Sequence, residues 1–184
     1  MDQALDRAVR VFRERGYHAT SIGDLTEAMK LATGSVYKAF KDKRAVFLAA
    51  FDRYTTLRGE RVREVASHGR TGRERVRDVL LDYVDLSQGI EGRRGCLVVG
   101  STIELAGLDP VIAARVSETL RNNEAFLAGL IRQGHADGSI HSHLDADDTA
   151  RTMVCLTQGL RVVGKARTRL EAATLVDIAL KMLA

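Results

Sequence analysis

Apolar residues recur at spacings of three and four along almost the whole chain, the pattern of helices with one buried face rather than of strands. A first helix is predicted over residues 2–15, with Leu5, Ala8, Val9 and Phe12 inward and Gly16 as its stop. Tyr17 then packs back towards it. A second helix opens at Ser21, whose hydroxyl caps it with Asp24 three residues on, and turns Ile22, Leu25 and Met29 inward. A short third helix covers residues 33–40, with Val36, Tyr37 and Phe40 as inner or flanking positions. Asp42 caps a long fourth helix over 43–66, which carries Val46, Phe47, Ala50, Phe51, Tyr54 and Leu57 into the second half without a flexible linker.

Residues 67–72 are a polar break before a fifth helix over 73–88, built on Val76, Val79, Leu80, Tyr83, Val84 and Leu86. The string GIEGRRG at 89–95 reads as a glycine-rich basic loop, followed by a sixth helix over 96–106. Asp109 before Pro110 is a strong helix start, because proline fixes the first helical φ and aspartate caps the free amides. That seventh helix extends to 136 and ends at Asp137-Gly138; an eighth runs from near 145 to near 165. Thr168 with Glu171 is a capping box for a ninth, to 183. With one proline and only short β-branched runs, the fold class is all-α, with about nine helices.

Composition narrows the class. A chain of 184 residues with 45% hydrophobic and 28% charged residues is globular, with room for one good core or a small domain joined to a medium one. No apolar stretch approaches the roughly 20 residues of a membrane span. Asp2, Asp6, Arg7 and Arg10 break up the start where a signal peptide would be apolar. Cys96 and Cys155 make no disulfide framework, so a reducing cytoplasm is expected. The charge is uneven: residues 1–58 hold 11 basic and seven acidic side chains, whereas 59–184 hold 17 of each. The net charge of +4 therefore sits on the first segment.

That segment also contains the candidate chemistry. Over residues 20–44, two short helices are separated by a few residues, the second is small and polar, and Lys38, Lys41, Lys43 and Arg44 follow. Such a helix-turn-helix places one helix in a DNA groove while cations neutralise phosphates. Ser35 and Lys38 lie on the outer face as candidates for base edges; Thr33 and Gly34 sit at the helix start, where free amides favour phosphate. Gly34 lets the backbone come close to DNA. Lys41 and Lys43 are candidate phosphate contacts, and Thr20 and Ser21 are caps that touch phosphate as well. Lys43→Ala is expected to weaken binding to any sequence and to flatten the salt slope by about one unit. No nucleophile elbow, phosphate-cradling glycine loop or paired metal-ligand motif argues for an enzyme or a cofactor. His135, His141 and His143 near Asp137 and Asp145 sit at and beyond a helix end, and no metal is assigned to them.

The chain resembles the tetracycline-repressor (TetR/AcrR) family of transcriptional regulators. The resemblance is carried by Phe12, Gly16-Tyr17, Thr20-Ser21-Ile22, Leu25, Ala28, Gly34-Ser35-Val36-Tyr37, Phe40, Lys41, Lys43 and Ala45-Val46, over roughly residues 4–50. It implies a homodimer whose recognition helices read a palindromic operator, and a C-terminal pocket whose small-molecule effector releases the DNA. It also implies that the Tyr37 hydroxyl reaches a phosphate. Two positions depart from the family pattern. Lys30 stands where glycine is usual in the turn, and Ala32 where serine or threonine caps the third helix. A lysine at positive φ costs about 1 kcal/mol and the missing cap another ~1 kcal/mol, with Thr33 as substitute cap if the helix starts one residue later.

On this reading residues 1–46 form the helix-turn-helix domain and 47–184 the ligand-binding and dimerisation domain. Tyr83, Leu86, Ser87, Ser101, Thr102, Leu105 and Phe126 are candidates for an apolar effector cavity, where widening would tilt the fourth helix. Cys96 follows Gly-Arg-Arg-Gly at a helix start, where Arg93, Arg94 and the helix dipole favour a thiolate. Its Gly-Cys-Leu string resembles an electrophile- or redox-responsive branch of the family; the alternative is a small buried hydrophobe. Cys155 is expected to be inert. The last two helices are apolar around their circumference, and Val154, Gly159, Leu160, Val163, Leu175, Ile178 and Met182 suggest a dimer seam. The expectation is a cytoplasmic, non-enzymatic, ligand- or redox-responsive DNA-binding transcriptional regulator that acts as a repressor. The alternative is an all-α small-molecule carrier or interaction protein with a basic surface.

Overall fold

The computed structural model describes residues 1–166 and 171–183, and among these it contains helices and no strand. The helices are α1 (Asp2–Arg15), α2 (Ile22–Met29), α3 (Thr33–Ala39), α4 (Lys43–Ala66) and α5 (Gly72–Asp85). They continue as α6 (Gly89–Arg94), α7 (Leu97–Glu104), α8 (Pro110–Asp137), α9 (Ala146–Ala166) and α10 (Ala172–Lys181). Nine correspond to the expected helices. The addition is α6, a six-residue helix in the stretch read as loop. Its glycines hid it: Gly92 packs against Ser87, where an added Cβ would lie 2.5 Å from the Ser87 carbonyl oxygen. The capping residue expected at Thr168 lies outside the described residues; Glu171 precedes α10 without a side-chain cap bond.

Local signals account for most boundaries. Ser21 and Asp24 form a reciprocal capping box at α2, and Thr71 and Glu74 form another that starts α5 one residue earlier than expected. Asp42 Oδ1 accepts from the Ala45 amide at 2.8 Å, and Asp109 Oδ1 from the Val111 amide at 3.0 Å, so α4 and α8 begin on aspartates. At Gly16, φ is 82°, a left-handed conformation open to glycine that ends α1.

The chain divides into two compact units. The first comprises Met1–Arg58 and Arg94–Val116, so the α7 region belongs with the N-terminal helices. Its core is aromatic. Phe12 meets Phe47 edge-on at 5.0 Å between ring centroids, Tyr17 meets Phe47 at 5.1 Å, and Phe51 continues the stack. Ala8, Leu25, Met29, Val36, Val46 and Ala50 complete it. Burying each large side chain contributes about 1.5–3 kcal/mol, the main force that assembles α1 to α4.

The second unit comprises Gly59–Arg93 and Ser117–Ala184. Its core gathers Val76, Leu80, Val84, Leu127, Ile131, Met153, Leu180 and Leu183 from α5, α8, α9 and the α10 end, with α5 packed on α9 and α10. Two crossings are too close for any side chain. A Cβ on Gly72 would sit 2.1 Å from the Gly134 nitrogen, and one on Gly164 would sit 2.1 Å from the Ser87 oxygen. Val154 and Leu160, expected at a dimer seam, lie instead inside this core. The α9 stripe wraps further round the helix than a single seam requires. Gly159, Val163, Ile178 and Met182 remain exposed, as does Val162; Leu175 is half-buried. Cys155 is exposed on α9.

Candidate nucleic-acid interface

The first unit presents α3 almost bare. Val36 is its buried residue, at 1% exposure, while Thr33, Gly34, Ser35, Tyr37 and Lys38 are all exposed, Tyr37 by 51%. Tyr37 therefore belongs to the surface and not to the core. Nothing lies within 4 Å of a Cβ built on Gly34. Glycine is thus not required there by packing within the chain. Lys41 just beyond the helix is exposed too. A small, polar, cation-flanked helix held by one valine has the shape and chemistry to enter a major groove.

The turn before α3 shows both departures and no substitute cap. Lys30 has φ 56° and ψ 43°, and its amide reaches the Glu27 carbonyl while Leu31 reaches that of Thr26. It is the one non-glycine residue at positive φ among the described residues. The helix begins at Thr33 with Ala32 before it and no side-chain cap, so Thr33 does not substitute as the cap.

Two expected phosphate contacts are engaged elsewhere. The Thr20 hydroxyl is buried and donates to the Gly16 carbonyl at 2.6 Å. The Lys43 ammonium donates to the Tyr17 carbonyl at 3.0 Å and the Thr20 carbonyl at 2.9 Å, and lies 4.3 Å from the Tyr17 ring centroid. Both side chains close the turn between α1 and α2. Ser21 remains exposed at the start of α2, its hydroxyl shared with Asp24. The Asp24 carboxylate is held at a pKa of about 2, chiefly by the Ser21 backbone amide, then by the Ser21 hydroxyl and Arg15.

Two carboxylates on this unit have roles that sequence reasoning missed. Glu104, the last residue of α7, accepts from the backbone amides of Tyr17 at 2.9 Å and His18 at 3.3 Å. Asp109 takes Arg44 in a two-pronged pair, with Nη2 to Oδ1 at 2.9 Å, and that guanidinium is first among the groups holding its pKa at about 2. Asp109 announced itself as a cap; nothing in the sequence marks Glu104.

The candidate sensor residues fall in both units. Cys96 is half-buried as the residue before α7. The Tyr54 hydroxyl donates to its sulfur at 3.5 Å, while Arg94 pairs with Glu14 and Arg93 is exposed. The Ser101 hydroxyl turns back to the Leu97 carbonyl and that of Thr102 to the Val98 carbonyl; Leu105 is buried. In the second unit the buried Ser87 hydroxyl donates to the Tyr83 carbonyl. Ser87, Ser101 and Thr102 thus satisfy their own helices. Tyr83 is buried, and Leu86 and Phe126 are half-buried. His141 and His143 rings stand 5.3 Å apart, yet no group of three or more metal-ligating side chains gathers among the described residues. None of the described helices is long and apolar enough to cross a membrane.

Comparison with known proteins agrees with this geometry. Residues 4–50 match the model for bacterial regulatory proteins of the tetR family, and residues 72–176 match the tetracyclin repressor-like C-terminal domain. The chain is 32% identical over 138 residues to the HTH-type transcriptional regulator YezE of Bacillus subtilis, covering 73% of this chain and 71% of YezE. It is 28% identical to the transcriptional repressor ComR of Escherichia coli, covering 92% of this chain and 81% of ComR. Among solved structures it is similar to a cysteine mutant of the TetR-family regulator CifR complexed with 26-base-pair operator DNA. That likeness has a TM-score of 0.83 and 31% identity, over 100% of this chain and 96% of the other. The chain therefore belongs to the TetR family of sequence-specific, DNA-binding transcriptional regulators.

Proposed function

We propose that this regulator is a repressor that binds a palindromic operator as a homodimer and lets go when an effector reaches its C-terminal half. The observation that carries the reading is α3, with Ser35, Tyr37 and Lys38 exposed on a helix anchored by Val36 alone. Ser35 and Lys38 read base edges; Ser21, Thr33, Gly34, Tyr37 and Lys41 meet the backbone; Thr20 and Lys43 hold the supporting turn. The repressor ComR and the operator-bound CifR support the same assignment. The protein acts in the cytoplasm as a binding protein and not as an enzyme.

Gly159, Val162, Val163, Ile178 and Met182 form an exposed small and apolar set on α9 and α10 that suits a second copy of the chain. The effector reading rests on Tyr83, Leu86 and Phe126 for an apolar ligand and on Cys96 for a thiol-reactive one. The half-buried Cys96, with a hydroxyl donor 3.5 Å from its sulfur, is suited to alkylation by an electrophile. A gel shift with DNA upstream of the protein's own gene tests the whole reading. A sequence-specific complex that dissolves on adding apolar compounds or quinones is expected. A failure to shift any of that DNA would refute operator binding there, and release of Cys96→Ser by quinones would refute the thiol route.

A further inference from the structure

The helix-turn-helix is gripped from outside the motif at both of its flanks. On its leading side lies the turn 16–20, whose polar groups are distributed among three elements. Glu104 takes the amides of Tyr17 and His18, Lys43 donates to the carbonyls of Tyr17 and Thr20, and the Thr20 hydroxyl returns to Gly16. The fit is tight: a Cβ on Gly16 would lie 2.3 Å from Glu104 Oε1. On its trailing side α4 starts beside Asp42, and Arg44 in its first turn is held by Asp109 through two parallel hydrogen bonds. Lys43 joins the two flanks. Between them α3 has Val36 as its buried anchor, so the flanks set its direction. Residues 94–116, which supply both carboxylates, belong to the same compact unit as the motif.

We propose that Glu104 and Asp109 are positioning residues for operator recognition: without touching DNA, they fix the angle at which α3 is offered to the groove. The proposal rests on the operator-binding reading, and wild-type binding in the same assay keeps failure of one apart from failure of the other. It also assigns α7 and the start of α8 to the DNA-reading body, although they follow the motif by some fifty residues.

The test uses the full chain and labelled upstream DNA. Glu104→Ala removes the acceptor of two amides; Glu104→Gln keeps an acceptor oxygen. Asp109→Asn loses the charged pairing with Arg44 but retains a good helix cap. Expected for Glu104→Ala and Asp109→Asn is operator affinity lower by about tenfold, with far-ultraviolet circular dichroism and the salt slope of binding unchanged. Faster amide exchange at Tyr17 and His18 is expected in Glu104→Ala, and recovery of both readouts in Glu104→Gln. Wild-type affinity in both loss variants overturns the proposal. So does tighter, more salt-dependent binding by Asp109→Asn, because Arg44 would then be a phosphate ligand masked by its partner.

Discussion

A lysine at the start of a helix beside a recognition helix has two separable roles, and Lys43 shows how the structure chooses between them. Sequence alone made it a phosphate contact. In the structure its ammonium is committed to the Tyr17 and Thr20 carbonyls and to the face of Tyr17. A hydrogen bond from a charged donor contributes about 1.5–3 kcal/mol, and a partly exposed cation over an aromatic ring about 0.5–1 kcal/mol. Lys43 is half-buried, which places the expected loss in Lys43→Ala near the low end, about 3 kcal/mol. For a chain of this size that lowers the melting temperature by ~6–12 °C. A phosphate contact, by contrast, changes the logarithmic salt slope by about 0.9. The assay is therefore double: thermal unfolding of free protein, and anisotropy of labelled operator across roughly 50–200 mM salt. The structure predicts a large melting shift with an unchanged slope. A slope smaller by one unit with wild-type melting would refute the reasoning and restore Lys43 to the phosphate set.

Further outcomes follow from single sites. Gly34→Ala meets open space in the free chain, so stability should rise by about 1 kcal/mol from helix propensity while operator affinity falls; unchanged affinity would show that the backbone does not approach DNA there. Lys30→Gly relieves the left-handed backbone and should raise the urea midpoint by the equivalent of about 0.5–1 kcal/mol, a conclusion a lower midpoint would reverse. Asp24 has its folded pKa depressed to about 2 from an ordinary 3.8, so its contribution is complete above pH 4 and is lost as pH falls towards 2. Asp24→Asn should flatten the stability profile in that window, and an unaltered acid limb would contradict the assignment. Ile178→Asp changes a side chain that is 57% exposed, so the fold should survive while light scattering reports a monomer; a dimer that persists would move the seam elsewhere.

Much of this architecture was legible because its signals are local. Gly16, the Ser21–Asp24 box, Asp42 and Asp109-Pro110 each announce a helix end through bonds spanning four residues or fewer. The same logic would have found Thr71 with Glu74, and the sequence offered that spacing openly. Periodicity could not divide the apolar circumference of α9 between core and surface, which is why Val154 and Leu160 went inward while Val163 stayed outside. Nor could it find α6, since three glycines in seven residues (89–95) outweigh a helix made by packing on Ser87. The interface was legible in residue type and not in commitment. Ser35 and Lys38 are as exposed as their polarity suggested, but only the folded chain brings Lys43 onto the Tyr17 and Thr20 carbonyls. Glu104 lies 87 residues from Tyr17 in sequence, a distance at which no local pattern operates.

The central claim is that α3 reads sequence. Measuring the affinity of Ser35→Ala/Lys38→Ala for its operator and for scrambled DNA of equal length and salt tests it directly. Each lost base contact is worth about 1–3 kcal/mol of discrimination. The double variant should therefore keep its weak grip on scrambled DNA but lose at least about thirtyfold, and up to roughly ten-thousandfold, of its preference for operator. A preference that survives intact would contradict the account, because another part of the protein would then be doing the reading.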